Sequence, residues 1–323
     1  MAVRQSQGDW RGWLPIRVFV AGDQWRVDWC WFGDTPLREP FFSDSVRRAL
    51  RLPFNQAMRR ESSLDALDQW RAASPGVAPS LFIHHASRCG STLLAQLLTS
   101  DEKNIVVSEA PALDTLLRAG LQAPELALEV DEGLRGLLSA YGQRRLGSEQ
   151  ALVVKLDAWN VFQASILRRL YPATPSLFVY RDPLEIVVSH LRQPGMHMVP
   201  GLLGETSLEA TGGPGGVDRV AWHIGQILQG GLQLCREQGA VPVNYSELPG
   251  AAWQRLASLL RVEAVDRERL QEVACSDAKQ PGMAFSPDGE RKRAAADDAV
   301  RMAVKRWARA PYEDLEAVRL DMA

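Results

Sequence analysis

The segment from residue 80 to residue 94 changes from an apolar run into a short polar turn and then into a leucine-rich stretch. The run over 80–83 predicts a buried strand, and the leucines at 93–98 predict a helix. Backbone N–H groups at a helix start have no partner within the helix, and the helix dipole favours negative charge there. The segment therefore predicts a phosphate-binding loop. Its anion-binding residues are Arg88, Cys89, Gly90, Ser91 and Thr92.

This loop departs from the loop of nucleoside triphosphatases. The pattern GxxxxGK[ST] places His85 at the first glycine and Ser91 at the lysine that reaches the β and γ phosphates. We therefore expect the loop to hold a triphosphate poorly. The cysteine-phosphatase pattern Cys-x5-Arg fails as well, because the arginine position is occupied by Ala95.

A second strand-to-helix junction lies at residues 176–191. The apolar run 177–180 predicts a strand that delivers Arg181, and a helix follows at once with Asp182 as its cap and Glu185 at capping-box spacing. Ser189 lies about two turns past Asp182 and so returns to the same face of the helix. We expect Arg181 and Ser189 to bind one anion together.

The two junctions resemble the two signatures of sulfotransferases that use 3'-phosphoadenosine 5'-phosphosulfate (PAPS). In that family the loop holds the 5'-phosphosulfate, and an arginine and a serine eight positions apart hold the 3'-phosphate. The resemblance covers roughly residues 80–260 and implies a P-loop sulfotransferase of the bacterial or tyrosylprotein-like branch. It implies that PAPS is bound by Arg88, Cys89, Gly90, Ser91, Thr92, Arg181 and Ser189.

The same resemblance assigns catalytic roles to Glu109, Arg88 and Lys155. Glu109 follows a predicted strand and resembles the glutamate that removes the acceptor proton in tyrosylprotein and several bacterial sulfotransferases. A carboxylate in that role requires a buried setting. Lys155 resembles a family lysine that adds positive charge at the sulfuryl group, although the proline of the family's pattern is absent here. The alternative bases are His85, Asp157 and His190.

Predicted strands and helices alternate from residue 80 onward, which indicates an α/β protein with a parallel sheet flanked by helices. In such sheets ligands bind beyond the carboxyl ends of the strands. The charged residues expected there are Arg88, Glu109, Lys155, Asp157 and Arg181. The predicted strands are 81–84, 105–108, 152–155, 177–180 and 241–245.

Tryptophans crowd the first part of the chain. A hairpin turn at 21–24 is followed by Trp25, Trp29 and Trp31, which alternate onto one face of a strand. Such a face suits stacking on a sugar or aromatic acceptor, but large aromatics usually fill cores, so we expect packing against the main domain. We therefore divide the chain into a small Trp-rich β/α appendage at 1–76 and a sulfotransferase-like P-loop domain at 77–323.

The segment 193–216 is rich in glycine and proline. Its length and composition fit either a disordered insertion or a functional lid. We expect a lid that orders over the acceptor.

Composition limits the remaining function classes. No apolar run reaches the about 20 residues of a membrane helix and the start lacks a signal-peptide stretch, so we expect a cytoplasmic protein without a membrane partner. The four cysteines lack metal or disulfide spacing, and no metal is expected. A net charge of −2 argues against a nucleic-acid partner, which would require a basic surface. We expect a small-molecule, carbohydrate or peptide acceptor, and the alternatives are a nucleotide-dependent kinase and an inactive nucleotide-binding module.

Overall fold

A computed structural model describes residues 8–122, 127–199, 214–263, 266–279, 283–284, 286 and 288–322. The chain divides into two compact units. The first unit comprises residues 1–82 and 95–174, and the second unit comprises residues 83–94 and 175–323. The domain boundary expected at residue 76 stays a prediction.

Strands and helices alternate through most of the chain. Up to residue 174 they are β1 (Trp13–Ala21), β2 (Gln24–Trp31), α1 (Phe42–Ala49), α2 (Pro53–Ala57), β3 (Arg60–Ser63), α3 (Asp65–Ala73), β4 (Pro79–His85), α4 (Ser91–Thr99), β5 (Asn104–Ser108), α5 (Pro111–Gln122), α6 (Ala127–Tyr141), β6 (Ala151–Lys155) and α7 (Ala164–Leu170). Beyond residue 174 they are β7 (Ser176–Tyr180), α8 (Pro183–Arg192), α9 (Gly216–Gln238), β8 (Val241–Asn244), α10 (Ala257–Leu260), α11 (Arg267–Ala274), α12 (Gly289–Ala294), α13 (Asp298–Trp307) and α14 (Arg309–Asp321).

The α/β class and the parallel sheet are confirmed. Five strands form one parallel sheet in the order β5-β6-β4-β7-β8, and helices flank it. These are the five strands that the apolar runs predict, with bounds shifted by at most two residues. Strand β6 shows why the runs are visible in the sequence, because every one of its residues is buried and so must be apolar or paired.

The tryptophan-rich segment forms a separate three-stranded antiparallel sheet in the order β1-β2-β3. Trp13 and Trp29 are buried in the hydrophobic core of the first unit, together with leucines from α5 and α6. Trp25 and Trp31 are partly buried and pack against the same core. The prediction that these aromatics serve packing is therefore confirmed.

The helix start at α8 follows the sequence prediction. The Asp182 carboxylate accepts a hydrogen bond of 2.8 Å from the Leu184 N–H, and Pro183 occupies the first turn. Within the described part of the chain, no helix combines the length and apolar character that crossing a membrane requires.

Candidate functional site

The predicted phosphate loop lies in the second unit and has an unusual backbone. Ser87, Arg88 and Gly90 have positive φ angles of 62°, 50° and 86°. Such angles are uncommon for residues other than glycine, and they concentrate at functional sites. At Gly90 a side chain is excluded, because a Cβ there would lie 2.5 Å from Cδ2 of Tyr245. Helix α4 begins directly after this loop, at Ser91.

Contacts with β7 and α8 hold the loop in place. The Ala86 N–H donates to the Val179 carbonyl at 2.9 Å, and the buried Cys89 thiol donates to the same oxygen at 3.1 Å. The Arg88 guanidinium donates to the Gln193 carbonyl at 3.1 Å. The thiol of Cys89 therefore anchors the loop on β7. Binding of PAPS by the predicted loop residues stays a prediction.

His190 of α8 supports the loop from the other side. Its Nδ1 accepts a 3.2 Å hydrogen bond from the Gly195 N–H, so the proton of the neutral ring is assigned to Nε2. Nε2 lies 3.1 Å from Oγ of Ser87 and donates to it. Burial, with a smaller contribution from His197, lowers the pKa of His190 to about 2. These contacts favour a role in positioning Ser87 over the role of a base.

Two buried histidines of the second unit make stability depend on pH. Burial lowers the pKa of His84 to about 3 and that of His190 to about 2, from an ordinary value of 6.5. Below pH 6.5 these histidines therefore bind protons in the unfolded chain but stay neutral in the folded protein. Their contribution to the free energy of unfolding is complete above pH 6.5 and declines as the pH falls. We expect the free energy of unfolding at pH 5 to be lower than at pH 7 by about 2 kcal/mol for each histidine.

Urea unfolding at the two pH values measures this difference. In a His190→Gln variant the pH dependence should shrink, whereas a Gln substitution at the exposed Glu132 should leave it unchanged. Equal stability of the unmodified protein at pH 5 and pH 7 would contradict the prediction.

Arg181 is held by two carboxylates. Its guanidinium forms an ion pair with Glu185 and a second with Asp288 at 3.0 Å. It also lies over the ring of Tyr245, at 4.1 Å from the centroid. Glu185 was predicted to extend the helix cap, but it is turned to Arg181 instead, because a buried guanidinium requires a counter-charge.

Helix α12 adds two cations to this group. Lys292 pairs with Asp288 at 2.8 Å, and Arg293 pairs with Glu185. Although burial opposes it, hydrogen bonds from Lys292 and Arg181 hold the pKa of Asp288 below its ordinary value. The Arg181 cluster, as we name Arg181, Glu185, Asp288, Lys292 and Arg293, thus contains three cations and two carboxylates.

Ser189 lies on α8 and is half-buried. Its carbonyl accepts the Gln193 N–H at 3.1 Å at the end of the helix. The hydrogen bonds of Arg181 go to Glu185 and Asp288. Joint binding of one anion by Arg181 and Ser189 therefore stays a prediction.

Glu109 and Lys155 form an ion pair in the first unit. Glu109 directly follows β5, and Lys155 is the last residue of the neighbouring strand β6. The sheet register pairs Ser108 with Lys155, which brings Glu109 and Lys155 together. Glu109 has a positive φ of 52°, and its N–H donates to the Lys155 carbonyl at 2.8 Å. The Lys155 side chain is fully buried, whereas 24% of the Glu109 side chain is exposed. The buried setting expected of Glu109 is thus only partly present.

Asp157 has the buried environment expected of a carboxyl base. It is 7% exposed, and burial together with the charges of Glu109 and Asp114 raises its pKa well above the ordinary value. Asp114 itself accepts hydrogen bonds from Trp159 Nε1 at 2.6 Å and Asn160 Nδ2 at 2.9 Å. Sequence reasoning missed Asp114, because nothing in its local pattern distinguishes it from a helix-surface aspartate.

Two further residues were missed in the second unit, Tyr245 and Asp288. Tyr245 directly follows β8, and its position after a strand end is the signal that could have indicated it. Asp288 lies in a glycine- and proline-rich segment without such a signal. Residues 200–213, the greater part of the predicted lid, lie outside the described residues. Within the described ranges, no three His, Cys, Asp or Glu side chains form a group suited to a metal ion.

Comparisons with known proteins give structural likeness only. No family model matches the sequence, and no curated protein matches it. A sulfotransferase domain from the curacin biosynthetic pathway is 15% identical with a TM-score of 0.42, covering 76% of this chain and 98% of that one. A sulfotransferase from Mycobacterium avium is 13% identical with a TM-score of 0.42, covering 73% and 77%. A sulfotransferase domain of the Synechococcus PCC 7002 olefin synthase is 14% identical with a TM-score of 0.40, covering 77% and 95%.

Proposed function

We propose that this protein transfers a sulfuryl group from PAPS to an acceptor hydroxyl. The proposal rests on one observation: the position of Tyr245 in the second unit. Its ring lies against Gly90 so closely that it excludes a side chain there. The guanidinium of Arg181 lies over the same ring, at 4.1 Å from the ring centroid. The phosphate loop and the Arg181 cluster are thus neighbours around one aromatic ring. This arrangement suits a ligand with two anionic ends.

The residues of the second unit fit such a ligand. The loop offers backbone N–H groups at the start of α4, the Arg88 guanidinium and the hydroxyls of Ser91 and Thr92, which suit a phosphosulfate. In the Arg181 cluster, Asp288 already lies 3.0 Å from Arg181 and 2.8 Å from Lys292. A carboxylate oxygen at these distances is a stand-in for a phosphate oxygen. The 3'-phosphate would take this place, with Ser189 as the predicted further donor.

The reaction is a displacement at sulfur. The acceptor oxygen forms a bond to sulfur, and the bond between sulfur and the 5'-phosphate oxygen breaks, so adenosine 3',5'-bisphosphate leaves. Arg88 would stabilise negative charge on the transferring group and the leaving phosphate. Glu109 would take the acceptor proton, and Lys155 would supply positive charge. A carboxylate base would agree with the bacterial or tyrosylprotein-like branch that the sequence resemblance implies.

We expect adenosine 3',5'-bisphosphate to raise the melting temperature more than ATP with Mg²⁺ does at equal concentration. A ligand that binds only the folded state stabilises it in proportion to the logarithm of its concentration over its Kd. The loop lacks the lysine of a triphosphate site, whereas the Arg181 cluster suits a second phosphate. Differential scanning fluorimetry measures the shifts.

The matched control ligand is 5'-AMP, which lacks the 3'-phosphate and should give a smaller shift than the bisphosphate. Equal or greater stabilisation by ATP with Mg²⁺ would favour a kinase. Tight binding of the bisphosphate without transfer from labelled PAPS to phenols, sugars or tyrosine peptides would favour an inactive nucleotide-binding module.

A further inference from the structure

The first unit contains a cavity of about 630 Å³ that the proposed transfer does not use. Strand β3 and helix α3 contribute to its wall, together with Asp9 and Trp10. Cavities of about 300 to 1,000 Å³ are typical of small-molecule sites.

The charges of the lining are unbalanced. The two lining carboxylates have arginine partners, since Asp9 pairs with Arg11 and Glu61 pairs with Arg26, each at 2.6 Å. Arg59 and Arg60 also line the cavity. Among the described residues, neither forms an ion pair with a carboxylate. Both arginines therefore line the cavity without a carboxylate partner in the described part of the chain.

Arg60 is held rigidly. Its guanidinium donates to the Asp9 carbonyl at 2.8 Å and lies 4.3 Å from the ring centroid of Trp10 and 5.0 Å from that of Trp13. A guanidinium fixed in this way loses little conformational entropy when it binds a ligand. It can bind an oxyanion through two parallel N–H bonds.

The aromatic residues of the wall do not offer a stacking surface. Trp10 is stacked on Trp29 at 4.1 Å, and Arg60 lies over its ring as well. Trp70, the other lining tryptophan, is 8% exposed, and its buried Nε1 has no hydrogen-bond partner among the residues that the structure describes. Recognition in this cavity therefore depends on charge and hydrogen bonds, and the sugar or aromatic stacking considered for the tryptophan face does not apply here.

We propose that this cavity binds a small hydroxylated molecule that carries a sulfate or phosphate ester. Arg59 and Arg60 bind the ester oxygens, and the lining carboxylates of Asp9 and Glu61 accept hydrogen bonds from the hydroxyl groups. The volume exceeds that of a lone oxyanion, which leaves room for the body of the molecule. The proposal concerns the first unit and does not rest on the transfer reaction.

Isothermal titration calorimetry of the full chain tests the proposal with three probes, which are glucose 6-sulfate, glucose 6-phosphate and glucose. The first two distinguish the sulfate ester from the phosphate ester, and glucose lacks the anion. We expect saturable binding of at least one ester and none of glucose. The Arg59→Ala variant should weaken ester binding about tenfold to a hundredfold, as the loss of one charge-assisted interaction does.

Arg51→Ala is the matched control, because Arg51 is an exposed arginine of the same unit that does not line the cavity. It should bind the esters as the unmodified protein does. A second variant, Arg60→Lys, keeps the charge but loses the planar fork, and it should weaken binding severalfold. Ester binding that is absent, or equal in the Arg59→Ala and Arg51→Ala variants, overturns the proposal. Adenosine 3',5'-bisphosphate affinity should stay unchanged in Arg59→Ala, so this test and the test of sulfuryl transfer fail independently.

Discussion

Replacing Glu109 by glutamine should lower turnover by about 10²- to 10⁴-fold, while affinity for adenosine 3',5'-bisphosphate changes little. Glutamine keeps the shape of the side chain and still accepts a hydrogen bond from Lys155, but it cannot take a proton. Glu109 is not among the residues proposed to bind the anions, which is why nucleotide affinity should persist. Turnover is measured with labelled PAPS and an acceptor found by screening phenols, sugars and tyrosine peptides.

The control variant is Glu132→Gln, a glutamate on the exposed surface of α6, and its turnover should be normal. Glu109→Asp keeps the charge on a shorter side chain and should retain part of the activity. Near-normal turnover in Glu109→Gln would move the base elsewhere, with Asp157→Asn the next variant to test. Loss of nucleotide binding together with turnover would show that Glu109 has a structural role.

Removing the Arg181 side chain should weaken adenosine 3',5'-bisphosphate binding by about tenfold to a hundredfold and 5'-AMP binding much less. The expected loss is about 1.5 to 3 kcal/mol, the usual contribution of a hydrogen bond to a charged group. The selectivity follows because only the bisphosphate carries the 3'-phosphate that Arg181 is proposed to bind. Calorimetry with both ligands measures the difference.

Arg181→Ala also leaves Glu185 and Asp288 without one partner each, so a gentler variant is needed. Ser189→Ala removes only a hydroxyl and should reduce bisphosphate affinity severalfold. Arg291→Ala removes an exposed arginine of α12 outside the cluster and should have no effect. An equal loss of affinity for both ligands in Arg181→Ala would assign this arginine a structural role.

The predictions succeeded where local sequence decides the structure. The five strands of the parallel sheet are apolar runs, because their residues are buried on both faces. The cap at Asp182 depends on a residue two positions away, so its signal is also local.

The partners of the charged residues were not predictable in this way. Asp288 binds Arg181 across 107 positions of the chain, and Arg293 binds Glu185 across 108. Helix capping and hydrophobic periodicity relate residues that are only a few positions apart. Neither therefore indicates a contact between residues this far apart in the sequence. The spacing of Glu185 from Asp182 favours a capping role, but in the structure Glu185 forms an ion pair with Arg181 instead.

The sequence by itself determined the α/β class, the strands and the two strand-to-helix junctions, since burial and capping act over a few residues. Only the tertiary structure decided which side chains compensate the charge of Arg181, how Tyr245 lies against Gly90, and that Glu109 is paired with a fully buried lysine. A buried charge requires a counter-charge wherever in the chain it can be found. That choice depends on how distant segments pack, which no local pattern specifies.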